Sequence, residues 1–391
     1  MVFNLAERIK KIAIFLVFCF NIASKGKSNF LLSNSWSKFL IHLTRFEMEN
    51  KSKSATLQKP ECDDSLIWDI FLSAYKYPAL VAADRLGLFA SLEHEARSLE
   101  QISKLGLGLR AIEALVTTLT SMKLLKEEAG LYSLTTVART YLLPRNSFYW
   151  GHMFHFDEDK PVTPLDLLEA LRRESPRPYS NSDLWSNHEV NAEHALNFTK
   201  AMHSQSFPSA VGLADKHDFS HVSRLLDVGG GSGCFSIALA LYWQNLQCTV
   251  AERPLICEIS KNYISDFGLS NRIETVAFDM FNDAWPTGFD AIFLSNILHD
   301  WNDEKCLHLL RNAFFSLPKG GKLFIHEMLL DDKKNGPWPT TAFSLTMLRF
   351  TEGKQFSLSE LTELLLRSGF RDIEKKQGSA FYSLIVATKF Q

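Results

Sequence analysis

Residues Leu225–Phe235 read LLDVGGGSGCF, an apolar run that ends in an acid and breaks into glycines. No other stretch restricts the fold as much. Glycines let a backbone turn tightly and come close to a ligand. A helix starting straight afterwards aims its free N–H groups at the same spot. Strand, glycine loop and helix open an α/β layer, and from Ser223 onward the pattern repeats. The strand-like runs RLLDV, QCTVA, IETVA, DAIFL and KLFIHEM alternate with helical stretches at a spacing that suits parallel crossovers. The late runs FRDIEKKQ and FYSLIVATK read as an antiparallel pair closing the sheet.

The loop discriminates between ligand classes. A dinucleotide loop wants GxGxxG, and the third glycine position here is Cys234. A phosphate-binding P-loop wants Lys followed by Ser or Thr, which is absent from this loop. What remains is GxGxG behind an acidic strand end, the pattern of enzymes that bind S-adenosylmethionine (SAM). Asp227, Gly229, Gly231 and Gly233 are its candidate cofactor residues. Glu252 ends the second strand, where a carboxylate can accept from both ribose hydroxyls. Asp279 ends the third, where it can accept from an adenine amino group, with Met280 and Phe281 beside it to cover the ring. A single such acid reads as a helix cap. Three, at the C-terminal ends of three successive strands, lie where open α/β sheets bind ligands.

The fourth strand runs into SNILHDWND, residues Ser295–Asp303. A turn has use for Asp300 but none for His299 and Trp301. A methyl group on a sulfonium needs only a nucleophile in line with it, and a phenol of pKa near 10 keeps its proton at neutral pH. A histidine can take that proton as the oxygen attacks, which contributes roughly 10²–10⁴-fold. His299 is the candidate base. Glu327, ending the fifth strand, is placed to hold its tautomer. Asp300 reads either as a cap for the helix beginning near Asn302 or as a residue reaching the cofactor.

Upstream, Ile67, Phe71, Ala74, Ala79, Ala82, Ala83 and Leu86 recur at helical spacing and predict one helix ended by Gly87. A second helix capped by Ser98, a third over RAIEALVTTLTSMKLL, a hairpin turning at Gly130 and a short helix complete a winged-helix pattern. DNA recognition would need a basic face. The third helix offers only Arg110 and Lys123 beside Glu113, and the net charge is -2. The pattern therefore reads as a dimerisation domain, not a nucleic-acid binder. Prolines 161, 164, 176 and 178 frame one short helix, LDLLEALRRE, and a further helix is expected up to Pro208. The divisions read from the sequence are an N-terminal extension over 1–60, a winged-helix-like domain over 61–147, a helical linker and substrate-pocket region over 148–222, and a SAM-binding domain over 223–391.

The extension has its own character. Arg8, Lys10 and Lys11 precede an apolar segment at 12–20, too short to span a bilayer comfortably, and Met48 opens a polar stretch. An upstream start that is not used, a targeting segment and an N-terminal anchor all fit it, and membrane contact is expected only if residues 1–47 act as an anchor. Six scattered cysteines without a CxxC pair make neither a disulfide framework nor a zinc site. They read as reduced thiols in the cytoplasm, and no metal is expected.

Together, LLDVGGGSG, DMF, HDWND followed by PKGGKLFIHEMLLDD, and the tail from Gly336 to Ile373 resemble the small-molecule O-methyltransferases of the caffeate and acetylserotonin (hydroxyindole) type, with their bacterial natural-product relatives. The resemblance covers about Asp64 to Phe390. It implies a Rossmann-like class I SAM-dependent methyltransferase domain preceded by a mainly helical, winged-helix-like dimerisation domain, acting as a homodimer on an aromatic small molecule. It implies His299 as base, SAM carboxylates at Glu252 and Asp279, and an acceptor pocket lined by Phe198, Met202, Ser206, Phe343, Met347 and Phe350. Three positions depart from the family pattern. Glu252 stands where an Asp is usual. Ser295 stands where plant members often carry Lys, so that cofactor contact differs. Gln355 replaces an acid that helps the base. Carbon or nitrogen methylation on the same fold, a metabolite-sensing regulator and a non-catalytic partner subunit are the competing readings.

Overall fold

The computed structural model describes residues 57–156, 162–176 and 191–390. The expectations for the extension lie outside these except at 57–60. The chain divides into two compact units, Met1–Asp69 and Ile70–Gln391, and the second carries everything that follows except the start of the first helix.

Helix α1 (Ser65–Ser73) and helix α2 (Lys76–Arg85) replace the single helix expected through Leu86. Pro78 explains the break, since it has no N–H to give and its ring crowds the carbonyl four residues back. Interrupting the helix after Ser73 puts Pro78 in the first turn of α2, where neither defect matters. Gly87 follows in the left-handed region at φ 67°, then α3 (Leu88–Ser91). Helix α4 (Leu99–Ser103) is held by a reciprocal capping box between Ser98 and Gln101. Helix α5 (Leu109–Ser121) buries Ile112, Val116 and Leu119 on one face, while Arg110 and Glu113 stay exposed. Strands β1 (Leu125–Glu128) and β2 (Leu131–Leu134) form the hairpin, and α6 (Thr136–Tyr141) closes the domain.

Helices α7 (Gly151–Phe156) and α8 (Pro164–Arg173) lead to α9, which spans Ala192–Lys216 without stopping at Pro208. The expected end there is wrong. An interior proline costs ~3 kcal/mol. Phe207, Ala210, Leu213 and Ala214 around it are buried in the core. At about 1.5–3 kcal/mol for each large apolar side chain, that burial outweighs the lost hydrogen bond.

The main sheet has seven strands in the order β5-β4-β3-β6-β7-β9-β8. These are β3 (Arg224–Val228), β4 (Gln247–Glu252), β5 (Ile273–Ala277), β6 (Ala291–Ser295), β7 (Lys322–Met328), β8 (Arg371–Gln377) and β9 (Tyr382–Thr388). The first five are parallel, and β9 runs antiparallel to both β7 and β8. Helices α10 (Cys234–Tyr242), α11 (Pro254–Asp266), α12 (Asp303–Ser316), α13 (Trp338–Phe350) and α14 (Leu358–Arg367) complete the architecture. Side chains alternate across the sheet, as the two-residue period requires. Leu226, Val228, Ile292 and Leu294 enter one apolar cluster, and Leu225, Ala291 and Phe293 the other.

Strand order reverses at β3, which lies between β4 and β6. Open α/β sheets bind ligands at such a switch point, outside the carboxyl ends of the strands. Here the glycine loop leaves β3 and the SNILHDW turn leaves β6, so the two most distinctive stretches of the sequence emerge side by side.

Candidate active site

A cavity of about 730 Å³ opens at this crevice. Its walls come from the glycine loop, the ends of β4 and β6, the segment after β5, and helices α9 and α13. Every candidate residue named from the sequence lines it except Gly233 and Glu327. Gly233 begins α10 in the left-handed region, and Glu327 stands directly behind His299.

Around the loop, the Asp227 carboxylate is buried beneath the turn and accepts the Ser236 hydroxyl at 2.7 Å. Burial pushes this carboxyl up to about 6, with Ser236 opposing. Asp227 therefore shapes the loop from inside. Gly231 has φ 57°, and a Cβ there would meet nothing within 4 Å. Glu252 reaches the same turn, with one oxygen accepting from Gly231 N–H at 3.2 Å and the other from Arg253 N–H at 2.7 Å. Desolvation pushes it up to about 7 against these two bonds. Asp279 accepts from the Phe281 and Asn282 N–H groups, from the Asn282 amide and from Arg253 at 2.6 Å. Desolvation works against ionisation of Asp279, and these donors outweigh it to hold the carboxyl below its usual range. Arg253 was missed in the sequence, although it stands beside Glu252 in ERP.

Ser295 also has a partner of its own. Its hydroxyl lies 2.9 Å from Nδ1 of His326, whose Nε2 is 3.1 Å from the Ser209 hydroxyl of α9. His326 is fully buried and stacked on Tyr382 at 4.4 Å, and burial keeps it neutral, down to about 3. Neighbours on β7 face opposite ways, so His326 faces α9 while Glu327 faces the HDW turn.

That turn is a short 3-10 helix, Leu298–Asp300. One Glu327 oxygen accepts from the Leu298 and His299 N–H groups at 3.1 and 3.4 Å. The other lies 2.8 Å from His299 Nδ1. One carboxylate thus fixes both the turn and the imidazole on it. Gln355, buried, places its amide nitrogen 3.2 Å from the same Nδ1. With Nδ1–H given to Glu327, the amide orientation that fits presents Oε1 instead. Burial alone would lower the pKa of His299, and Glu327 and Asp300 outweigh it, pushing it up to about 9. Asp300 is buried 3.8 Å from His299 Nε2, and desolvation pushes it up to about 7. It does not cap the following helix. Asn302 does, accepting from Lys305 N–H at 3.0 Å.

Gly353 is a second residue the sequence reading passed over. A Cβ there would sit 2.6 Å from both the His299 carbonyl carbon and the Trp301 nitrogen. Only glycine lets this segment lie against the back of the turn.

Phe198, Met202 and Ser206 of α9 face Phe343, Met347 and Phe350 of α13 across the remaining volume. Phe343 meets the His299 ring edge-on at 5.7 Å. The cavity thus has a polar half at the loop and an apolar half ending at the histidine.

Comparison with known proteins identifies the family. Residues 166–371 match the model of the O-methyltransferase domain, and residues 68–144 that of the O-methyltransferase dimerisation domain. A 3-hydroxy-5-methyl-1-naphthoate 3-O-methyltransferase of Streptomyces sahachiroi is 34% identical over 313 residues, covering 79% of this chain and 90% of that protein. The acetylserotonin O-methyltransferase of Bos taurus is 29% identical over 333 residues, covering 79% and 93%. An L-tyrosine C(3)-methyltransferase of Streptomyces lavendulae is 30% identical over 341 residues, covering 83% and 93%. Among solved structures, human N-acetylserotonin methyltransferase in complex with SAM superposes with a TM-score of 0.74 at 25% identity, covering 85% of this chain and all of that one. A matched catalytic domain, a matched dimerisation domain before it and relatives aligned along nearly their whole length place this chain in the O-methyltransferase family.

Proposed function

We propose that this protein transfers a methyl group from SAM to a hydroxyl of an aromatic small molecule, with His299 as general base. The observation that carries the reading is that one cavity joins the glycine loop to a histidine whose Nδ1 is held at 2.8 Å by Glu327. That contact leaves Nε2 as the acceptor on the cavity side.

The residues fit the cofactor. Gly231 turns an open face to the cavity, so a ribose can lie against the backbone, with Glu252 beside it. Met280 lines the same half and supplies an apolar surface for a purine. Asp279 already accepts from Arg253 and Asn282, so an adenine amino group would share that carboxylate. Ser295 would act through a hydroxyl whose direction His326 sets. When bound, SAM supplies a methyl on a sulfonium, which the acceptor oxygen displaces to leave S-adenosylhomocysteine (SAH). His299 Nε2 takes the proton that oxygen gives up. Glu327 keeps the ring in the tautomer that can do so and stabilises the imidazolium that results. Phe198, Met202, Phe343, Met347 and Phe350 exclude water and clamp a flat ring, with Ser206 as a polar contact. Asp300, 3.8 Å from His299 Nε2, would lie near the reacting hydroxyl.

We place the winged-helix-like domain at 61–147, the pocket-forming helical region at 148–222 and the catalytic domain at 223–391. A homodimer through the first is supported by the matched dimerisation domain and by exposed apolar residues at its start, Ile70, Leu72 and Tyr75. None of the described helices is long and apolar enough to cross a membrane. A cytoplasmic location suits a cofactor made inside cells, and the poorly charged α5 argues against nucleic-acid binding.

The test is transfer of labelled methyl from SAM to a panel of phenols, hydroxyindoles and hydroxynaphthalenes, with His299→Ala beside the wild type. Label on oxygen that the variant loses supports the reading. The tyrosine C(3)-methyltransferase relative makes carbon methylation the second reading. Label on carbon or nitrogen would keep the fold and cofactor and refute oxygen as the target.

A further inference from the structure

Charge is distributed unevenly along the cavity. Among the described lining residues, the lysine and arginine side chains are Arg253 and Lys305. Arg253 pairs with Asp279 at 2.6 Å in the cofactor half. Lys305 is bonded to Glu352 and lies over the Trp301 ring, 4.8 Å from its centroid. Both positive charges are already matched by acids. His203 stacks between Phe207 and Tyr263 and bonds Ser232 of the glycine loop at 2.8 Å. Burial keeps it neutral, at about 4. His194, also in the wall, packs its ring against Phe156 at 5.8 Å.

The acceptor half is different. Besides His194 and His203, the α9 and α13 side chains in the wall are aromatic, methionine or hydroxyl groups and the Gln205 amide, none of them cationic. The ionisable groups at its closed end are His299, Asp300 and, behind the histidine, Glu327. Even with His299 protonated, two carboxyl groups face one imidazolium. An anionic substituent entering there would lose its water and meet no partner cation among the described residues, which is among the costliest burials in a protein. A hydrogen-bond donor or an ammonium would instead find Asp300.

We infer that the acceptor is a neutral or amine-bearing hydroxy-aromatic compound, and that this cavity selects against aromatic carboxylates. The inference rests on the reading of this cavity as a methyltransferase site and sharpens it to a substrate class. It sets this chain apart from its naphthoate-methylating relative, with which it shares 34% identity.

A matched series tests it: 3-hydroxy-1-naphthoate, its primary amide and its 1-aminomethyl analogue. Calorimetric titration at pH 8 onto the full chain preloaded with SAH gives affinities without turnover, and methyl transfer from SAM gives kcat/KM. The amide and the amine should each bind at least about tenfold more tightly than the carboxylate, with the same order in kcat/KM. Asp300→Asn should reduce the advantage of the amine over the amide while SAH binding persists. Equal or tighter binding of the carboxylate overturns the inference, as does a failure of the whole series to bind a protein that still binds SAH. Failure to bind SAH refutes the methyltransferase reading itself, and the inference falls with it.

Discussion

Replacing Glu327 by glutamine separates two roles that the carboxylate combines. One is charge. At 2.8 Å and an effective dielectric of about 20, the attraction to an imidazolium is ~6 kcal/mol before desolvation is subtracted. After that subtraction, Glu327 and Asp300 together hold His299 at about 9. The other role is direction. The Glu327 oxygens accept from Leu298 N–H, His299 N–H and His299 Nδ1–H, all donors. A glutamine must put an NH2 toward one side. If it faces Nδ1, the imidazole adopts the other tautomer and Nε2 carries the proton, so the base is lost. If it faces the backbone, the turn loses its acceptor. The two roles predict opposite effects at pH 7. Loss of charge alone lowers the pKa of His299, leaves more neutral imidazole and speeds the reaction. Loss of direction slows it by most of the ~10²–10⁴-fold assigned to a positioned base. We expect the second to win, with kcat down at every pH and the rising acid limb shifted to lower pH by at least about one unit. The assay is kcat from pH 6 to 10 with a good acceptor, with SAH affinity to establish that the cavity is intact. An unchanged or faster rate at pH 7 in a variant that still binds SAH would refute the orientation argument.

Other perturbations follow from the same geometry. In the wild type, the base works only when neutral, so kcat should climb with pH to about 9; a profile flat from pH 6 upward would contradict the raised pKa of His299. Gln355→Glu adds a second carboxyl at Nδ1, so the rising acid limb should move to higher pH and the rate at pH 7 fall severalfold, read from the same pH series. Gly353→Ala drives a Cβ into the backbone of the His299 turn, costing about 1–3 kcal/mol in a urea melt and most of the activity; a variant of wild-type activity would mean the turn yields freely. Glu360 caps α14 and bonds Lys334 and Lys354. Although desolvation pushes Glu360 up, these cations and the Ser357 N–H outweigh it and hold the carboxyl at about 2. Its stabilisation is therefore present above the usual 4.5 and lost as pH falls through about 2. Glu360→Gln should lower Tm at pH 6, an effect worth about 1 kcal/mol with partly exposed lysines, and converge with wild type near pH 2.

The starts of the capped helices, the hairpin and each main strand were legible within a residue or two, because their signals are local. A cap, a glycine in the left-handed region or a two-residue alternation acts over a few neighbours. The misreadings came where distant packing overrode a local rule. Pro208 should have ended α9, but Phe207 and Leu213 are buried against the sheet and the helix runs through. At Asp300 the sequence left a helix cap and a reach toward the cofactor open, and packing decided between them, with Asn302 as the cap and Asp300 in the cavity wall.

The sequence by itself determined the sheet, the glycine loop, the acids at three strand ends and a histidine after the fourth strand, since each is a residue type at a fixed place in a strand–turn–helix unit. Only the tertiary structure decided how these residues are engaged. It put Glu327 and Gln355 on one nitrogen of His299, paired Asp279 with Arg253, tied Ser295 to His326, and pressed Gly353 against the turn that carries His299. Each of these joins residues on separate elements, as far apart as 56 positions in the case of His299 and Gln355. Such contacts depend on which faces of a strand or helix meet after the sheet has closed, and no local pattern records that.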